Sequence, residues 1–194
     1  MDTGIVILAA GNSSRLGQPK QLLAFKQTTL IEHTIKAAWQ ANFQPIIVVL
    51  GAYAKEIQEK LPAEVNLVIN NNWSAGMSSS ITAGVAALIK QSPMIENIII
   101  AVSDQAFITA EIFQALKQKQ ISTKKGIVAS TYAKTTGTPV LFNKQYFPQL
   151  LSLTGNNGAK SMLKLHGNDV ATIAFALGNI DIDTETDYDN LIKQ

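Results

Sequence analysis

"ILAAGNSSRLGQPKQLL", residues 7–23, holds the sharpest change of character in the chain. An apolar run stops at Gly11, gives way to Asn12, Ser13, Ser14 and Arg15, then adds Gly17, Pro19 and Lys20 before turning apolar again. Apolar runs without alternation suit strands covered on both faces. A glycine-bearing turn after such a strand exposes backbone N–H groups that can face anionic oxygens, and Arg15 and Lys20 add full charges. Pro19 restricts the backbone just before Lys20 and so fixes where that lysine points. The spacing fits neither G-x-x-x-x-G-K-[ST] nor G-x-G-x-x-G, so a phosphate-binding loop here is of another type. The plainer reading is an ordinary strand-to-helix turn carrying surface cations.

On both sides of this loop β-rich runs recur, at 4–9, 46–50, 65–69, 98–102 and 127–131, and segments of helical spacing lie between them at 29–41, 77–90 and 110–119. This βαβα rhythm predicts an α/β fold: a Rossmann-like, mostly parallel sheet flanked by helices in three layers, with the strand C-termini along one ligand-binding edge. Past residue 132, "GTPVLF" (137–142) reads as a strand, "GNNGAKSMLKLH" (155–166) as a glycine-led helix and "VATIAF" (170–175) as a late strand. No linker, repeat or low-complexity tract interrupts the chain, which predicts one domain over 1–194.

Composition narrows the function. Of 194 residues 46% are hydrophobic and 15% charged, with a formal net charge of +2 spread along the chain, which does not suggest nucleic acid as a partner. The densest basic stretch, "KQKQISTKK" (117–125), lacks interleaved aromatics and reads as a solvated helix end. The absence of cysteine excludes a disulfide scaffold, a Cys-ligated zinc site and a thiol nucleophile. The runs at 46–50 and 98–102 fall far short of the roughly 20 residues of a membrane span, so the expectation is a soluble, cytoplasmic protein.

Further polar groups fall at strand ends and helix starts. Asp104 follows the run "IIIAV" and precedes Thr109, a candidate helix cap, which puts it on the same edge as the opening loop. Asp181 and Asp183, two apart, share one side of an extended segment. Mg²⁺ takes one or two carboxylates along with phosphates and water, a role that carboxylates from distant segments can share. In "NWSAGMSSSITAG", Gly76 breaks the chain and Ser78, Ser79 and Ser80 open a helix whose N–H groups suit a phosphate or the polar edge of a base. Trp73 is read as a packing aromatic and left outside the site, and His33 and His166 as satisfied or surface histidines.

"AAGNSSRLGQPKQLL" resembles the A-A-G-x-S-x-R-M-G-x-x-K signature of the MobA-like nucleotidyltransferases, and among them the molybdenum cofactor cytidylyltransferases most. Further matches follow in family order at 48–57, 71–84, 102–109, 137–142, 153–163 and 181–188. The resemblance implies Mg²⁺-dependent transfer of CMP from CTP to a phosphorylated acceptor of molybdopterin type, with release of pyrophosphate. It implies a nucleotide site of Leu8, Ala9, Ala10, Gly11, Ser13, Arg15, Lys20, Gly76, Ser78, Ser79 and Ser80, with Arg15 and Lys20 acting on the phosphates. Asp104 and Asp183 match the metal ligands, Asp181 being the substitute, and transient contact with a molybdoenzyme or its chaperone is implied as well. The chain departs from the family pattern at Leu16 for methionine, Ala106 for proline, and Asn156 and Lys160 for an Asp and an Arg. Asn drops a charge and Lys lacks the bidentate fork of Arg, changes that bear on the acceptor side. A sugar- or alditol-phosphate nucleotidyltransferase and a non-catalytic nucleotide- or cofactor-binding module stay open as alternatives.

Overall fold

The computed structural model describes every residue except Met1, Asn156, Asn157, Asp181, Asp183 and Gln194. In chain order its elements are β1 (Thr3–Ala9), β2 (Ala24–Phe25), β3 (Thr28–Thr29), α1 (Leu30–Gln40), β4 (Ile46–Leu50), α2 (Ala54–Gln58), β5 (Asn66–Ile69) and α3 (Met77–Gln91). There follow β6 (Asn97–Val102), α4 (Ala110–Thr123), β7 (Ile127–Tyr132), β8 (Thr135–Asn143), α5 (Phe147–Leu151), α6 (Lys160–Leu165), β9 (Val170–Ala174) and α7 (Glu185–Ile192). A seven-stranded sheet runs β5-β4-β1-β6-β8-β7-β9. β1 lies parallel to β4 and β6, with Ile5 opposite Ile46 and Ile99, and β8 runs antiparallel to β6 and β7.

The unalternating runs have a direct cause. Ile5, Ile7 and Ala9 of β1 pack under α1 and α4 in one buried cluster, while Val6 and Leu8 face the opposite cluster with Ile81, Val85 and Leu88 of α3. Both faces are covered, so every position of β1 is buried. This is the expected three-layer α/β architecture with a mostly parallel sheet. β5 lies at one edge of the sheet and is only partly covered, with Ile69 exposed.

Two features depart from the sequence reading. The helix expected over 155–166 begins only at Lys160, because Gly155 (φ +74°) and Gly158 (φ +51°) adopt left-handed backbone that a right-handed helix cannot continue through. The stretch at 117–125 is not wholly solvated. Lys117 and Gln120 are buried, Lys117 Nζ donates to Gln120 Oε1 at 3.0 Å, and burial pushes the Lys117 ammonium pKa down against the raising effect of Glu96 and Asp2. Among the described residues, no helix is long and apolar enough to cross a membrane.

The sheet is held tightly to α3 at Gly84. A Cβ there would overlap Val6 Cγ1 and come within 2.8 Å of Val49 Cγ2, both on strands under the helix. Alanine gains up to about 1 kcal/mol in helix propensity, but forcing a methyl into a packed core costs about 1–3 kcal/mol. Gly84→Ala is therefore expected to lower stability by about 1–2 kcal/mol, read as a drop in the urea midpoint. An unchanged or raised midpoint would show that α3 can lift off the sheet at no cost.

Candidate active site

The C-termini of β1, β4 and β6 meet on one edge, and the loop after β1 curls over it. Ser13 adopts φ +45° and Gly17 φ +65°, which turn the chain back on itself, and Ser13 Oγ accepts from Lys20 N at 3.2 Å. Gln21 is buried and its Nε2 donates to both Ala9 O and Gly11 O at 3.1 Å, while Ala52 N donates to Ala10 O at 3.2 Å. With those carbonyls engaged, the backbone N–H groups of Asn12, Ser13 and Ser14 make no hydrogen bond within the described residues. They border a hollow of about 200 Å³ that Arg15 and Lys20 also line. Fixed N–H donors and cations around a space of that size suit the oxygens of a polyphosphate.

Lys20 Nζ lies 2.6 Å from Asp104 Oδ2, with both side chains more than four-fifths shielded. Asp104 stands just past β6, and the pair looks into a larger cavity of about 410 Å³ lined by Leu8, Ala9, Ala10, Gly11, Trp73 and Ser80, among others. A second cavity of about 380 Å³ adjoins it, sharing Leu8, Met77 and Val102 and reaching Gly137, Thr138 and Lys160.

The turn before α3 is only partly directed at the cavity. Gly76 needs its glycine, holding φ +102°, and lines the space together with Ser80. Ser78, however, donates from its N to Gly155 O (3.3 Å) and from its Oγ to Thr154 O (3.2 Å), and Ser79 N donates to Gly76 O (3.1 Å). The Ser78 donors anchor the segment at Thr154 and Gly155 and the Ser79 N–H closes the turn itself, so none of them lies open. Asn70 Nδ2 donates to Ser79 Oγ (2.8 Å) and Ser80 Oγ (3.0 Å). Ser80 Oγ is an acceptor in that contact, and among the described residues its hydroxyl makes no hydrogen bond as a donor.

Asp181, Asp183 and Asn156 lie outside the described residues. Ile182, between the two aspartates, is fully buried in a cluster with Leu16, Ala106 and Leu191. Ala106 and Leu16, two of the four departures from the family pattern, are thus core contacts that tie the Asp104 turn and the opening loop to α7. Among the described residues there is no group of three or more His, Cys, Asp or Glu side chains able to hold a metal. Among the described residues, Asp104 is the carboxylate lining the cavity, a hard oxygen donor of the type that fits Mg²⁺ when phosphates complete the coordination. His33 is half-buried, with its Nε2 3.0 Å from Ile108 O, and burial pushes its pKa down; it lies outside the cavity.

Three features escape the sequence reading. Gln21 sits in "KQLL", where a polar residue within an apolar return was its only signal. Gly51, inside the matched stretch 48–57, was given no role of its own: a Cβ there would meet Ala10 O at 2.6 Å and both Ala10 Cβ and Trp73 Cβ at 2.7 Å, so its bareness lets both residues pack against it. Trp73, read as packing, lines the cavity.

A three-layer α/β fold carrying this loop and cavity defines a nucleotidyltransferase-type protein. The chain belongs to the MobA-like NTP transferase domain family, whose model matches residues 5–170. It is 29% identical over 170 residues to the nicotine blue oxidoreductase of Paenarthrobacter nicotinovorans, covering 82% of this chain and 80% of the relative. It is 27% identical over 185 residues to the molybdenum cofactor cytidylyltransferase of Escherichia coli strain K12, covering 94% and 92%. Among solved structures, Rv0371c of Mycobacterium tuberculosis H37Rv in complex with manganese superimposes with a TM-score of 0.83 at 25% identity over 100% of both chains.

Proposed function

We propose that the protein is a Mg²⁺-dependent nucleotidyltransferase that moves CMP from CTP to a phosphorylated acceptor of molybdopterin type and releases pyrophosphate. The observation that carries this reading is the Lys20–Asp104 pair, 2.6 Å apart, set between the loop hollow and the larger cavity. Likeness to the E. coli cytidylyltransferase over nearly the whole of both chains supports the donor and acceptor classes. The manganese complex of a solved relative supports a divalent cation.

In this reading the N–H groups of Asn12–Ser14 and the Arg15 guanidinium hold the β- and γ-phosphates, and Lys20 stabilises charge at the α-phosphate. An acceptor phosphate oxygen bonds to the α-phosphorus as the bond from that phosphorus to the bridging oxygen breaks, its electron pair leaving with pyrophosphate. Such an in-line displacement asks the protein for position and charge rather than for a nucleophile. Bound Mg²⁺ would offset the triphosphate charge, and Asp104 and Asp183 are the residues proposed to hold it. Leu8, Ala9, Ala10 and Gly11 border the nucleoside, Ser80 and Gly76 face it, and Ser78 and Ser79 shape the turn that presents them. The adjoining cavity with Gly137, Thr138 and Lys160 takes the acceptor. A pyrophosphate-release screen of the common nucleoside triphosphates, with molybdopterin and Mg²⁺ present, tests the reading; release that depends on acceptor and is strongest with CTP is expected.

Base preference follows from the slot. Ala10 stands where guanylyl-transferring relatives carry glycine; its methyl and Trp73 Cβ both pack against Gly51, and the added methyl is proposed to narrow the space for a purine. A wrong base would leave polar groups such as the Ser80 hydroxyl unpaired at about 1–3 kcal/mol each. CTP is expected to bind at least about tenfold more tightly than GTP, from one such mismatch. Side-by-side titrations with Mg²⁺ check this, and equal affinities would remove the cytidylyl assignment while leaving nucleotidyl transfer in place.

A further inference from the structure

Six of the thirteen phenylalanine, tyrosine and tryptophan side chains enter ring pairs, Phe25 with Phe107, Tyr132 with Phe175 and Phe142 with Tyr146, and Phe25 also meets His33. Trp73 does not. Among the described residues its indole enters no ring pair and none of the three hydrophobic clusters, and its N–H has no hydrogen-bond acceptor. It is half-buried on a single 3₁₀ turn, Trp73–Ala75, and lines the larger cavity. The turn is tied at both ends: Trp73 N donates to Asn70 O at 3.3 Å and Gly76 N to Trp73 O at 3.1 Å. Gly51, just past the end of β4, leaves the room that lets Trp73 Cβ and the Ala10 methyl both pack against it.

An indole that the core does not use, held by backbone bonds at a cavity wall, has its remaining contact surface turned to whatever fills the cavity. We infer that Trp73 is the nucleobase-contacting residue of this site, covering the base of a bound nucleoside triphosphate. The inference rests on the nucleotide reading above and adds to it the group that recognises the base. Contact between an aromatic side chain and a base tolerates any base, since each has a π-face. Trp73 therefore supplies affinity rather than discrimination between bases.

The test separates base from phosphates. The chain has two tryptophans, and Trp39→Phe, on the outer side of α1, leaves Trp73 as the only indole reporter. In that variant, titration with CTP and Mg²⁺ is expected to quench Trp73 emission, whereas inorganic tripolyphosphate is expected to compete with CTP and leave the emission unchanged. In the otherwise native chain, Trp73→Ala is expected to weaken CTP binding about tenfold with tripolyphosphate affinity unaltered, and Trp73→Phe to restore most of it. Equal loss for both probes, unchanged CTP affinity, or CTP binding without any change in Trp73 emission overturns the inference and leaves the nucleotide reading standing. Failure of both probes to bind the native chain overturns the nucleotide reading and the inference with it. Should Trp73→Ala fail to fold, the emission experiment decides.

Discussion

Asp104→Asn is expected to keep the fold and lower turnover at least ~10²-fold, since losing one preorganised electrostatic partner at a reacting phosphate commonly costs ~2.7–4 kcal/mol. The substitution keeps size and one acceptor oxygen and removes the charge. Asp104 lies past the end of β6, clear of the packed strand interior, so the thermal midpoint should move little. The informative readout is turnover against Mg²⁺ concentration: higher Mg²⁺ should restore part of the loss if the carboxylate holds the cation. Near-normal Mg²⁺-dependent turnover in the variant removes Asp104 from the chemistry.

Lys20→Ala should depress kcat more than it raises KM, because a charge acting on the developing transition state shows in the chemical step rather than in uniform binding. The loop should survive the change, since Ser13 Oγ takes its hydrogen bond from the Lys20 backbone N rather than from the side chain. A loss on the order of 10²-fold in kcat is expected. A variant that raises only KM would make Lys20 an anchor for the triphosphate and no more. Because Lys20 and Asp104 touch, the two changes should not add: the double variant should lose less than the product of the single losses.

The layered fold was legible because burial on both faces writes itself into the sequence as unbroken apolar runs, and β1, β4 and β6 lie where those runs fall. The reversal of β8 was not. It follows from the turn at Ala133 and Lys134, both with positive φ, where neither Asn-Gly nor Asp-Gly marks a hairpin. The small β2–β3 hairpin hides in the same way, its turn formed by Lys26 and Gln27 at positive φ. Within the site, charges announced themselves: Lys20 and Asp104, more than 80 residues apart, were both read onto the ligand edge and meet there. Groups that act by shape or by bonding to backbone did not. Gln21 holds loop carbonyls, Gly51 matters for the side chain it lacks, and Trp73 is set apart only by the absence of a core around it. Such roles depend on what lies opposite in space, which spacing along the chain does not encode.

Group transfer at the joined cavities is followed with CTP radiolabelled at the α-phosphorus. Incubated with the protein, Mg²⁺ and molybdopterin, the label is expected to appear covalently on the acceptor, with one pyrophosphate released for each CMP transferred and none without acceptor. Label that stays in CTP, or emerges only as free CMP while CTP binding is intact, would contradict the account.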